Sequence, residues 1–197
     1  MRCTRLYAAL GALLAALTLG ACGSDPAPPT PSPSTTSATA SPSATASPSE
    51  TTAPVLPEAA KAHTKAGAEA FVRYFWEVVN YAQESGDTKP LKALSLAGCT
   101  ACSAGVRGID DIHSRGGRVI GGRAIPTVTS TRLTSGKHDG QTITFATVTV
   151  RVGFAPEKID YPNDALDVRK PASTAVDVFT LTSATPGWSV SHLEATK

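Results

Sequence analysis

The pattern Cys99-Thr100-Ala101-Cys102 has more potential chemistry than any other short motif in this sequence. The pair opens a predicted helix, where backbone N–H groups and the helix dipole stabilise a thiolate. A thiol–disulfide oxidoreductase is therefore one interpretation. Redox pairs of the thioredoxin type follow a strand, whereas this pair follows a short predicted helix and has no neighbouring aromatic residue, which favours a structural disulfide. A zinc site is the third interpretation, but zinc needs two further ligands and His113 alone does not supply them.

A different chemistry is indicated at Cys22. Arg2 and Arg5 precede the apolar segment Leu6–Leu19, which is typical of a signal peptide and is shorter than the roughly 20 residues that cross a membrane. The end of this segment, Leu19-Gly20-Ala21-Cys22, resembles the lipobox of bacterial lipoproteins. The resemblance implies that residues 1–21 are a signal peptide and that Cys22 carries a diacylglycerol, with a further acyl chain such as palmitate on its new amino group. Two or three acyl chains give stable anchoring, so we expect a protein on the extracytoplasmic face of the cell membrane.

Removal of the signal peptide changes both the cysteine count and the charge. Cys3 leaves with the signal and Cys22 is lipidated, so Cys99 and Cys102 remain to pair in an oxidising compartment. The 18 basic residues lose Arg2 and Arg5, which leaves 16 basic against 16 acidic residues. A neutral chain without a basic block is a poor partner for nucleic acid. The sequence contains no nucleophile-elbow, P-loop or dinucleotide fingerprint, so we expect no cofactor and no metal.

Residues 22–57 are predicted to be a disordered tether. The stretch Asp25 to Pro57 is rich in Pro, Ser, Thr and Ala, and it contains nine prolines and very few large apolar residues. No core can offset the entropy of ordering such a chain. In polyproline geometry, at about 3.1 Å per residue, the tether could reach roughly 100 Å. O-glycosylation of this stretch is a further hypothesis.

Residues 58–197 have the length and patterning of one folded domain. Apolar residues at spacings of three and four predict a helix from Ala59 to Ser85, with Trp76 off the centre of the apolar face. Shorter helices are predicted over Lys89–Leu96 and from Cys99 to about Ser114. Strands are predicted over Arg118–Leu133, Thr142–Phe154, Thr174–Thr182 and Trp188–Leu193, with Ala146, Val148, Val150, Val152 and Phe154 on one face. Ala155 to Pro171 is predicted to be a mobile loop. This order indicates an α+β fold, with three N-terminal helices packed on a curved antiparallel sheet of about four strands.

Two stretches of this domain carry a resemblance. Phe71-Val72-Arg73-Tyr74-Phe75 and the closing Gly187-Trp188-Ser189-Val190 are similar to the first helix and last strand of cone-shaped folds related to nuclear transport factor two. More narrowly, the chain resembles uncharacterised actinobacterial lipoproteins with a CxxC pair after the second helix. The cone fold implies a pocket between the sheet and the helices, for which the candidate residues are Tyr74, Asp177 and His192.

These elements lead to an expected function and two alternatives. We expect a binding module for a small apolar ligand, a peptide or an envelope protein, with the membrane reached through Cys22. One alternative is a thiol–disulfide oxidoreductase that uses Cys99 and Cys102. The other is a structural or accessory protein of cell-wall assembly. Catalysis by Asp177, as a carboxylate base raised in pKa by desolvation, would require that this side chain lie in a pocket.

Overall fold

A computed structural model describes residues 52–163 and 167–196 of the chain. The predicted signal peptide, the lipidation site Cys22 and the tether as far as residue 51 lie outside the described residues, so these remain predictions. Within the described ranges, no helix is long and apolar enough to cross a membrane.

Three α-helices follow a short 3-10 helix. The 3-10 helix covers Glu58–Lys61, and the α-helices are α1 (Lys65–Ser85), α2 (Lys89–Ala93) and α3 (Thr100–Ser114). α1 begins later than the predicted Ala59 because Thr64 caps it, with its side-chain oxygen accepting from the Gly67 backbone N–H at 3.1 Å. α1 ends at Gly86, whose φ of 77° is the left-handed conformation that glycine adopts most easily at a helix end.

Seven strands form two antiparallel sheets. The strands are β1 (Arg118–Gly121), β2 (Ala124–His138), β3 (Gln141–Phe154), β4 (Glu157–Asp160), β5 (Val168–Lys170), β6 (Ser173–Ser183) and β7 (Trp188–Thr196). The larger sheet has the order β2-β3-β6-β7, and the smaller sheet has the order β1-β4-β5. All neighbouring strands within these sheets run antiparallel.

The predicted fold class, three helices on one curved, cone-like sheet of about four strands, is wrong. Strands account for 42% of the described residues and helices for 32%, and the strands are divided between two sheets. Gly121 and Gly122 have φ angles of 75° and 70°, so the predicted strand Arg118–Leu133 breaks there into β1 and β2. The predicted loop Ala155–Pro171 contains β4 and β5, which add to β1 and build the second sheet.

Most side chains of β4 and β5 are charged. These two strands therefore resemble a solvated loop in the sequence. Lys158 contacts Asp160 and also pairs with Asp167 at 3.0 Å, while Lys170 pairs with Glu157 at 2.6 Å. These ion pairs lie at the surface of the sheet and stay in partial contact with water, so they contribute little to the stability of the fold. They accompany one deeply buried apolar residue of this sheet, Ile159, which is 6% exposed.

One face of the larger sheet is covered by the helices and forms the core. The predicted inward face of β3 is confirmed, since Ala146, Val148, Val150 and Val152 are all buried. The helices and the other strands complete the core with Phe71, Val72, Phe75, Val78, Leu91, Val106, Ile109, Phe179, Leu181, Trp188 and Val190. Each large side chain buried in this way stabilises the fold by about 1.5–3 kcal/mol.

Residues 54–63, which we call the N-terminal segment, pack onto this core. Leu56 lies against it, and the Pro54 carbonyl accepts a hydrogen bond from the Tyr74 hydroxyl at 3.3 Å. At the other end of the segment, the Ala62 carbonyl accepts from the Trp188 indole N–H at 3.0 Å. His63 Nε2 lies 2.7 Å from the carbonyl of the β6–β7 turn at residue 187 and donates to it. The segment is therefore joined both to α1 and to the β6–β7 turn.

Candidate functional site

Cys99 and Cys102 form a disulfide, as the sequence predicts. Cys99 is the N-cap of α3, and its sulfur accepts from the Cys102 backbone N–H at 3.3 Å. Cys99 is fully buried and Cys102 is 7% exposed. The disulfide therefore fixes the turn into α3 from inside the core.

The described residues do not provide a set of ligands for a metal ion at this disulfide. No group of three or more His, Cys, Asp or Glu side chains among the described residues is placed to hold a metal ion. His113 lies at the other end of α3, where its Nε2 is 2.9 Å from the Gln83 carbonyl and donates to it. Its role is to join the ends of α1 and α3.

The structure does not bring Tyr74, Asp177 and His192 together. His192 is exposed on β7 and is paired with Thr180, so it lies on the face of the larger sheet that is turned away from the helices. Tyr74 is buried on α1 with its hydroxyl on the Pro54 carbonyl. Burial raises the pKa of Tyr74, and the negative charge of Glu77 adds to that effect.

Asp177 does lie on the helix-covered face of the sheet. It is 4% exposed and shares this face with Phe179 and Leu181, as alternation along β6 requires. No ion pair or hydrogen bond to another described side chain accompanies it, and burial alone raises the pKa of its carboxyl. Asp177 is thus the one carboxylate residue among those described that is largely buried.

Beside this face is a cavity of about 180 Å³ between α1, α3 and β7. Its wall is largely apolar, and Cys102 of the disulfide forms part of it. The other lining residues are Phe75, Trp76, Val79 and Gln83 of α1, Leu91 of α2, Ala101, Gly105 and Ile109 of α3, and Leu193 of β7. Ala101 and Gly105 are exposed residues, so the cavity opens to solvent along α3.

Trp76 is the most unusual residue of the cavity wall. The residue is only 8% exposed, and its indole N–H is buried without a hydrogen-bond partner among the residues described. Its ring is held edge-on by Phe75, Phe154 and Phe179, with centroids 5.9, 5.8 and 6.4 Å away. These contacts fix the indole, so the N–H cannot turn to water without repacking the core.

Sequence reasoning placed Trp76 at the edge of the apolar helix face and did not identify it as a site residue. The only available signal was its position one residue after Phe75, which puts it about 100° around the helix from the centre of the face. A tryptophan at such a position brings a polar atom to the rim of a core. The lack of a hydrogen bond at its indole N–H could not be deduced from the sequence, because it depends on which strand side chains pack against the indole.

Comparison with known proteins gives a family but no activity. The family model described as "Family of unknown function (DUF6318)" matches residues 37–189. No curated protein matches this chain. Among solved structures, the intermembrane space region of the chloroplast protein ARC6 is similar over 67% of this chain and 95% of that chain, at 12% identity and a TM-score of 0.42. A likeness at that level says nothing about what this protein binds.

Proposed function

This chain belongs to the family of unknown function DUF6318, and we propose that it is a binding module that holds a small apolar molecule in the cavity between α1, α3 and β7. The observation that supports this most strongly is the largely apolar wall of this cavity, which α1, α2, α3 and β7 build together. An apolar molecule that covers such surface is stabilised by roughly 25 cal/mol for each Å² removed from water. The indole N–H of Trp76 is covered by the protein itself and takes no part in the proposed binding.

The size and walls of the cavity limit the ligand to a molecule of about one ring. The cavity volume is about 180 Å³, and an apolar cavity of about 150 Å³ is large enough to bind benzene. A groove of about 300 Å³ at Lys92, Leu96 and Arg107 is larger. Three of its eight lining residues are charged, namely Lys92, Arg107 and Asp110, and water already solvates them, so the groove offers an apolar ligand less than the apolar cavity does.

A thiol–disulfide oxidoreductase is supported less well by the same region. Disulfide exchange requires an attacking thiolate to reach one of the two sulfurs. Cys99 is fully buried and Cys102 nearly so, with its exposed fraction facing the narrow cavity. In this proposal the disulfide is part of the wall that shapes the binding site.

Two glycines of α3 provide a matched test of the binding proposal. Gly105 lines the cavity, whereas Gly108 is exposed and does not line it, and a Cβ at either position would meet no atom within 4 Å. Gly105→Leu should fill the cavity, and Gly108→Leu should leave it open. Both changes favour the helix by roughly 1 kcal/mol, so their effects on folding are matched.

The measurement is calorimetric titration of the full chain with toluene, an apolar molecule of one ring. We expect toluene to bind the unmodified protein and Gly108→Leu, and binding to Gly105→Leu to be at least tenfold weaker, a difference of about 1.4 kcal/mol. Absence of binding to the unmodified protein, or equal binding to both leucine variants, would contradict the proposal.

We also propose that the protein is a lipoprotein, held on the extracytoplasmic face of the cell membrane by lipid on Cys22. Support comes from the sequence Leu19-Gly20-Ala21-Cys22 after a short apolar segment. Cys22→Ala should release the protein from the membrane fraction. Cys3→Ala is the control, because it removes a cysteine of the signal peptide and leaves the lipobox intact. Release by neither variant, or by both, would count against the anchor.

A further inference from the structure

The groove of about 300 Å³ between α3 and the residues that follow α2 combines apolar and charged side chains. The apolar members are Leu96, Ala97 and Val106, and the charged members are Lys92, Arg107 and Asp110. None of its lining residues is shared with the cavity between α1, α3 and β7. Leu96 is 46% exposed here, although it is a large apolar residue. The groove is therefore a separate place for a molecule that has both an apolar part and a charged part.

Backbone hydrogen bonds hold one wall of this groove in place. The Leu96 N–H donates to the Val190 carbonyl at 2.9 Å, and the Val190 N–H donates to the Leu94 carbonyl at 2.8 Å. The Leu96 carbonyl accepts from the Cys99 N–H at 2.9 Å, and the disulfide joins Cys99 to Cys102 of α3. The backbone cannot carry the Leu96 side chain into the core without breaking these bonds. A preformed wall of this kind reduces the entropy that is lost when a ligand binds.

Both carboxylate oxygens of Asp110 already have partners. Its Oδ1 accepts from the Thr88 hydroxyl at 2.6 Å, and its Oδ2 lies 3.1 Å from the Lys92 ammonium. The hydrogen bond from Thr88, followed by that from Lys92, lowers the pKa of Asp110, so its carboxyl is ionised near neutral pH. The charges of Lys92 and Asp110 therefore balance each other.

Arg107 is the charged residue of the groove that has no ion pair among the described residues. It lies three residues before Asp110 and four before Asp111, the spacings at which side chains of one helix meet. Asp110 is already bound, and Asp111 pairs with Arg115 at 2.8 Å. Both carboxylates that α3 could offer to Arg107 thus have other partners. The two cations and one carboxylate of the groove give a net charge of 2 − 1 = +1.

We infer that this groove binds a small molecule with an apolar body and a single carboxylate, which pairs with Arg107 while the body covers Leu96. The inference goes beyond the proposed function, because it concerns a different site. A guanidinium and a carboxylate can form two parallel hydrogen bonds. A single negative charge matches the net charge of the groove, whereas a phosphate monoester carries about −1.5 to −2 charges at pH 7 and would leave negative charge beside Asp110.

Octanoate and octylammonium test the inference, because they have similar apolar chains and opposite charges. In calorimetric titrations of the full chain at pH 7, we expect octanoate to bind at least tenfold more tightly, a difference of about 1.4 kcal/mol. Arg107→Gln should weaken octanoate about fivefold, the upper range for an ion pair at a protein surface. Arg132→Gln is the matched control, since Arg132 is an exposed arginine of β2 outside the groove. It should leave octanoate binding unchanged.

Two further variants locate the bound molecule. Leu96→Ser should weaken octanoate and octylammonium alike, because it removes apolar surface and no charge. Gly105→Leu fills the other cavity and should leave octanoate binding unchanged. Loss of octanoate binding in Gly105→Leu would place the molecule in that cavity, which would overturn the inference and leave the proposed function standing.

Three other results would also overturn the inference. The first is equal binding of octanoate and octylammonium to the unmodified protein. The second is an equal effect of Arg107→Gln and Arg132→Gln on octanoate, which would mean that only the overall charge matters. The third is tighter binding of octyl phosphate than of octanoate, which would contradict the assignment of a carboxylate.

Discussion

Asn80 holds the start of β2 against α1, and replacing it tests how the helices and the larger sheet are joined. Its side-chain Nδ2 donates to the Ala124 carbonyl at 3.0 Å, and the Ala124 N–H donates to Oδ1 at 2.8 Å. Asn80 is 5% exposed and Ala124 is 3% exposed, so both bonds are largely shielded from water. Ala124 is the first residue of β2, immediately after the break that separates the two sheets.

Asn80→Leu keeps the size of the side chain and removes both hydrogen bonds. The N–H and the carbonyl of Ala124 are then left without their side-chain partner in the core. Each buried unpaired group costs about 1–3 kcal/mol, so the free energy of unfolding should fall by about 2–6 kcal/mol. That is a large part of the roughly 5–15 kcal/mol by which a domain is stable.

Urea unfolding followed by circular dichroism measures this change, and Asn80→Asp is the matched variant. An ionised aspartate still accepts from the Ala124 N–H, but it cannot donate to the Ala124 carbonyl. Protonation at low pH restores a donor, so the deficit of Asn80→Asp relative to the unmodified protein should shrink as the pH falls. A loss below about 1 kcal/mol in Asn80→Leu would refute this account of how β2 is held to α1.

Two further predictions concern the core and the cavity wall. Asp177→Asn should raise the free energy of unfolding near neutral pH, because burial raises the pKa of Asp177 in the folded state above its unfolded value of 3.8. The contribution that the raised pKa of Asp177 makes to the free energy of unfolding is fully present below pH 3.8, and it is lost as the pH rises through the folded pKa. The two proteins should therefore differ little in urea unfolding at pH 3 and increasingly at higher pH, and a variant that is no more stable at pH 7 would oppose this. Replacing Cys99 and Cys102 together by alanine should cost only about 2 kcal/mol in thermal or urea unfolding, because the disulfide closes a very short loop. Complete unfolding of that double variant would show that the disulfide is essential to the core.

Local patterns in the sequence were sufficient for the elements that bury one continuous apolar face. In β3, residues 146, 148, 150 and 152 alternate with polar neighbours, and this period of two identifies both the strand and its inward face. The buried face of α1 follows from spacings of three and four in the same way. The prediction that Cys99 pairs with Cys102 needed only their closeness in the sequence and the expectation of an oxidising compartment.

The smaller sheet could not be predicted, because its strands depend on partners that are distant in the chain. β4 pairs with β1 about 40 residues earlier, and its four residues Glu-Lys-Ile-Asp include only one apolar residue, so no period can emerge. Only the positive φ angles at Gly121 and Gly122 separate β1 from β2, and glycine in a strand is also compatible with a simple bulge.

Only part of the candidate site could be predicted, because the rest depends on how strands pair across the sheet. Alternation puts Asp177 on the same face as Phe179 and opposite Val176 and Val178, since alternation is a local property, but it does not say which face the helices cover. The exclusion of His192 required the irregular pairing between β6 and β7, where the register shifts at Thr180 and Leu181. No local pattern reports a register shift of this kind.

The contacts of the N-terminal segment determine where a pulling force on the preceding chain would act on the folded domain. A pull on the chain ahead of residue 52 first reaches the bond between Tyr74 and Pro54 and the packing of Leu56, and then the bonds that join Ala62 and His63 to the β6–β7 turn. The second group of contacts directs force into the hydrogen-bonded larger sheet before it can act on the first turn of α1. Because Tyr74 belongs to α1, force applied ahead of residue 52 would enter the molecule at two places, the middle of α1 and the β6–β7 turn of the larger sheet.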